Sequence, residues 1–122
     1  MRGRNAFLVL ESDHLIAHDL RETLEGLDPD AVVHVARGPQ EALALLEGIG
    51  ALSAAFLRLP SAELRLGPLP NEVERRGGRV VVLDAQGEAS GARSGWIHTG
   101  RPYGACTIAS VLREIGLVEG GG

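Results

Sequence analysis

Two periods of hydrophobic patterning alternate along this chain. The runs Ala6-Phe7-Leu8-Val9-Leu10 and Val80-Val81-Val82-Leu83 are apolar without a break, the pattern of strands covered by helices on both faces. Further strand-like runs stand at Ala31 to Val35, Ser53 to Leu59 and Gly95 to Thr99. Between them the spacing turns helical. A first helix starts near Asp13, a predicted N-cap, and puts Ile16, Leu20, Thr23, Leu24 and Leu27 on one face before Gly26 to Pro29 stops it. A second is signalled by Pro39 in its first turn, then Ala42, Leu43, Leu45, Leu46 and Ile49, with Gly48 and Gly50 at its end. The last runs from Ala105 to Ile115 and carries Ile108, Val111, Leu112 and Ile115 at helical spacing.

The remaining connections are less regular. Pro68 and Pro70 leave room for a short third helix from about Asn71 to Arg76, with most of residues 61 to 69 as loop. Only ten residues separate Asp84 from Gly95, whereas a parallel crossover takes about a dozen or more, so the fourth helix is expected to be shortened or missing. Strands alternating with helices in this way predict an α/β fold, a doubly wound five-stranded parallel sheet of order 2-1-3-4-5. One domain over residues 1–117 and a disordered glycine-rich tail over residues 118–122 are expected.

Composition narrows the function. With 122 residues and 44% hydrophobic positions the chain can bury a core, and its net charge of −4 supplies no basic footprint for nucleic acid or an anionic membrane. No apolar run approaches the roughly 20 residues that span a bilayer, and no charged leader precedes one, so a cytoplasmic protein is expected. Cys106 is the single cysteine, which agrees with a reducing compartment, and a small buried helix residue is its expected role. All twelve cationic residues are arginines, so a compositional bias weakens the meaning of any one of them.

In a sheet of this order, functional groups gather outside the carboxyl ends of the strands. Those ends carry Glu11-Ser12-Asp13, then Phe56 with Leu59-Pro60, then Asp84-Ala85, and finally Arg101-Pro102. With the segments LVLESD, AxxFLRLP and VVVLDA, and the Arg101-Pro102-Tyr103 step before the last helix, the chain from about Asn5 to Gly116 resembles the receiver domains of bacterial two-component response regulators. The resemblance implies a flavodoxin-like fold and a place in signal transduction. In that family a strand-three aspartate takes a phosphoryl group from a histidine kinase, two acids after strand one hold Mg²⁺, a hydroxyl residue after strand four contacts the phosphoryl group, and a lysine before a proline pairs with it. Position by position, the acids fall on Glu11 and Ser12, the phosphoacceptor on Phe56, the hydroxyl on Asp84 and the lysine on Arg101, with His98 at the switch position.

Three of those five positions lose the usual chemistry. A phenyl ring is no nucleophile, and Ser12 offers a neutral hydroxyl where a hard cation prefers a carboxylate. Asp84 adds negative charge beside any phosphate, at about 1 kcal/mol per close like-charge contact in a wet site. The family thus points to a degenerate pseudo-receiver, phosphorylation-independent and not an enzyme, with no metal or cofactor, acting by protein binding. Its expected partners are a histidine kinase, a phosphotransfer protein or another regulator, with a homodimer as a further option and with neither nucleic acid nor membrane.

Several positions stay open between two roles. Phe56 either fills the core or docks a ligand or partner, and Arg101 is either a surface cation or half of an ion pair to Asp84 or Glu11. Asp13 reads better as a helix cap than as a metal ligand, and the His14, His18, Glu22 stripe better as a solvated face than as a transition-metal site. Trp96 and Tyr103 default to core packing, with an exposed docking surface beside strand five as the alternative. Two other functions compete: a sensor holding a small ligand in the vacated sheet-edge pocket, and a receiver whose phosphoacceptor has moved to Asp13 or Asp84.

Overall fold

The computed structural model describes residues 5–59, 61–83, 96–99 and 104–116. In chain order they form β1 (Ala6–Leu10), α1 (His14–Leu27), β2 (Val32–Ala36), α2 (Pro39–Glu47), β3 (Ala54–Leu57), α3 (Ser61–Leu66), α4 (Leu69–Arg75), β4 (Arg79–Leu83), β5 (Ile97–Thr99) and α5 (Ala105–Glu114). The strands lie parallel in the order β2-β1-β3-β4-β5. The architecture is a flavodoxin-like α/β fold.

The period-two alternation of each strand divides the core into two layers. Phe7, Val9, Ala54, Phe56, Val81 and Leu83 pack with Leu20 and Leu24 of α1 and with Ile108, Val111 and Leu112 of α5. On the opposite face Leu8, Leu10, Ala55, Leu57, Val80 and Val82 meet Ala42 and Leu46 of α2, Leu64 of α3 and Leu69 and Val73 of α4. That double burial explains the unbroken apolar runs of β1 and β4. By contrast β2 borders the sheet, and Val32 remains 39% exposed.

Helix starts follow the sequence signals. Asp13 caps α1, its Oδ1 accepting from the backbone N–H groups of Leu15 at 2.9 Å and Ile16 at 3.3 Å, an arrangement that contributes about 1 kcal/mol. Pro39 opens α2 behind Gly38. The third crossover departs from expectation, because residues 61–66 are helical where a loop was predicted, and α4 begins at Leu69 instead of Asn71. The prolines account for this. Pro68 is the N-cap of α4 and Pro70 lies in its first turn, where the missing N–H has no intrahelical partner to lose.

The end of α4 needs its two glycines. Gly77 has φ +81°, and its N–H donates to Glu74 O at 3.0 Å while that of Gly78 donates to Val73 O at 3.0 Å, the paired bonds of a Schellman motif. A Cβ on Gly78 would stand 2.9 Å from Val73 Cγ1 and 3.1 Å from its carbonyl oxygen. Arg76 closes the layer from the same corner, its Nε donating to Leu46 O and Ile49 O, each at 2.9 Å. The expectations of a short or missing fourth helix, of a tail at 118–122 and of a domain limit at residue 117 fall outside the described residues.

Candidate functional site

The carboxyl ends of β1 and β3 bring Glu11 and Arg58 together. Leu10 pairs in register with Leu57, and the Arg58 N–H donates to Leu10 O at 3.0 Å, so Glu11 and Arg58 stand one step further along neighbouring strands. In a pleated sheet both then share the face of Val9 and Phe56. Arg58 Nη1 lies 3.0 Å from Glu11 Oε1, with the carboxylate side chain 1% exposed and the guanidinium side chain 31% exposed. The second carboxylate oxygen accepts the Asp13 N–H at 2.9 Å. Glu11 is the buried charged residue of the described core, and burial of a carboxylate is tolerable because both oxygens are answered.

Phe56 lies beneath this pair. It is fully buried, in register with Val9 on one side and Val81 on the other. Its ring meets Phe7 edge to face, with centroids 6.1 Å apart and planes at 67°, a favoured aromatic geometry. The ring fills the α1 and α5 layer and presents no surface for docking.

Of the other sequence-predicted positions, Ser12 is exposed at the bend after β1. Asp13 is the α1 cap, with its Oδ1 turned to the helix. His98 lies on β5 opposite Val82. Asp84, Arg101 and Tyr103 fall outside the described residues, and with them the predicted pairing of Arg101 to Asp84 or Glu11. Among the described residues the cation on Glu11 is Arg58, to which composition draws no attention. Parity along the strand was the available signal, since Arg58 follows Phe56 by two and belongs on the same side of the sheet. Trp96 is buried in the α2 and α4 layer, as core packing required.

The histidine stripe on α1 divides between different neighbours: His14 Nδ1 faces Arg37 Nη2 at 3.2 Å, and His18 Nε2 lies 3.4 Å from Glu22. Among the described residues no group of three or more His, Cys, Asp or Glu side chains converges on a common point. Cys106 is exposed on α5, not buried as expected, because the helix turns Ile108, Val111 and Leu112 inward. Chemically, the described edge combines a neutralised carboxylate, an aromatic ring without a nucleophile and a helix cap.

No protein-family model matches the chain, and no curated protein matches it in sequence. Solved structures do. A CheY-like response regulator receiver domain from Methylobacillus flagellatus superposes with a TM-score of 0.68 at 16% identity, covering 93% of this chain and 99% of that one. The chemotaxis response regulator CheY4 of Vibrio cholerae gives 0.69 at 13% identity over 93% and 99% of the two chains. A response regulator receiver protein from Sinorhizobium medicae WSM419 gives 0.69 at 13% identity over 92% and 94%. What this chain shares with them is the receiver fold. At such identities the likeness carries the path of the backbone and leaves the edge chemistry to this chain's own residues. Among the described residues no helix is long and apolar enough to cross a membrane.

Proposed function

We propose that this chain is a phosphorylation-independent pseudo-receiver that acts by protein binding in two-component signal transduction and catalyses no reaction. The observation that carries the reading is Phe56, fully buried at the strand-three position where the family resemblance puts the phosphoacceptor. Arg58 supports it, because a tethered cation already neutralises the buried acid at the sheet edge. The receiver fold of the solved neighbours supports the signalling context. A histidine kinase, a phosphotransfer protein or another regulator would then recognise a fold held in one state, in the cytoplasm.

Incubation with acetyl phosphate and Mg²⁺ followed by intact mass measurement tests the proposal, and no mass gain is expected. A phosphoryl adduct mapped to Asp13 or Asp84 would refute phosphorylation independence. Affinity for a purified histidine kinase or phosphotransfer protein, measured with and without the phosphoryl donor, tests the second half. Equal affinities are expected, and binding that requires the donor would overturn the reading.

A further inference from the structure

We propose that Arg58 is a tethered counter-ion that keeps free divalent cations off the Glu11 carboxylate. This role follows from the geometry of the β1 and β3 ends, whether or not the chain binds a signalling partner. Glu11 is 2% exposed, and a carboxylate so enclosed requires compensation by a donor or a cation. One N–H of Asp13 answers one oxygen. Among the described residues the other oxygen is answered by Arg58.

A second carboxylate, Asp13, stands two residues on, exposed and with one oxygen turned into the helix cap. Two acids this close at a strand exit are the donor chemistry of a hard dication, which takes carboxylate oxygens and keeps part of its water. Arg58 precedes any such ion. Its backbone is fixed by the bond to Leu10 O, so the guanidinium is presented to Glu11 at the high effective concentration of a tethered group. A free cation must displace it without help from covalent attachment. The guanidinium is also partly open to solvent, so its removal from the carboxylate leaves the position accessible from outside.

Thermal melting under MgCl₂ titration tests this, with ionic strength held constant by NaCl so that general screening does not contribute. The wild type, Arg58→Ala, Arg58→Gln and the double variant Arg58→Ala with Glu11→Gln are compared. The wild type is expected to be unmoved by Mg²⁺. Both single variants should gain melting temperature in proportion to the logarithm of free Mg²⁺ once its concentration passes the dissociation constant, and the double variant should lose that gain. If a single variant is unfolded without the ion, recovery of its circular dichroism on adding Mg²⁺ is the same expected result. Single variants indifferent to Mg²⁺, folded or unfolded, would overturn the proposal, as would a wild type that gains as much as they do.

Discussion

Placing an acid at position 56 should destabilise this protein, and more so at pH 7 than at pH 5. Phe56 is wholly enclosed between Val9, Val81 and the Phe7 ring. Truncating such a ring costs about 3–5 kcal/mol in lost burial and residual cavity. Phe56→Asp adds a carboxyl group to that cavity, and burial raises its pKa above the ordinary ~3.9 because the charged form is desolvated. The folded variant then holds a proton that the unfolded chain releases, so stability falls by about 1.4 kcal/mol for each pH unit between the unfolded and folded pKa values. From pH 5 to pH 7 the further loss reaches about 2.7 kcal/mol if the folded pKa stays above 7. Against a domain stability of about 5–15 kcal/mol, the variant should be marginal at pH 7 and firmer at pH 5. Urea denaturation at the two pH values measures this, with Phe56→Leu as a control that loses less than about 1.5 kcal/mol and no pH dependence. A Phe56→Asp protein as stable as wild type at pH 7, gaining a phosphoryl group from acetyl phosphate, would refute the core-filling account.

The Glu11–Arg58 pair should give a positive coupling in a double-mutant cycle of Glu11→Gln and Arg58→Ala. About 1–3 kcal/mol is expected, below the 3–5 typical of breaking a fully buried pair because Arg58 is 31% exposed. Gly78→Ala should cost about 1–3 kcal/mol in urea denaturation, because its Cβ would enter contact range of Val73 and Leu52. At Glu72 the Arg76 hydrogen bond, with the Arg75 charge and hydrogen bond behind it, outweighs desolvation and holds the carboxylate below its ordinary 4.5. Its stabilising share is therefore whole above that value and lost as pH falls through the lower folded one, so the stability gap between wild type and Glu72→Gln should close on acidification. A gap that widens toward acid pH would contradict the assignment.

Periodicity and punctuation made much of the fold legible. Asp13 and Pro39 mark the starts of α1 and α2, and the unbroken apolar runs mark β1 and β4 as strands of a parallel sheet with order 2-1-3-4 at that end. The third crossover is less legible because Pro68 and Pro70 read as barriers to a helix, whereas one caps α4 and the other occupies a first turn that tolerates it. At the site, Glu11 and Phe56 were visible from the strand ends alone. Arg58 was discounted among twelve arginines, and no composition argument distinguishes the one that register carries to a buried acid. Cys106 misled in the opposite sense, since residue type favoured burial while helix phase turned it outward.

The guanidinium of Arg76 has a consequence for the order of assembly. Its Nε donates to Leu46 O in the last turn of α2 and to Ile49 O, two residues beyond that helix, and Arg76 O receives the N–H of Leu52. Until α4 has been made, the exit of α2 has its local bonds from Gly48 and Ile49 but lacks those from Arg76. An N-terminal fragment stopping after β3 should fray there in hydrogen exchange, and one extended through Gly78 should protect the same amides. The exit of α2 is thus secured by the residue that caps α4, a coupling that favours cooperative folding of the α2–α4 layer over stepwise addition of its helices.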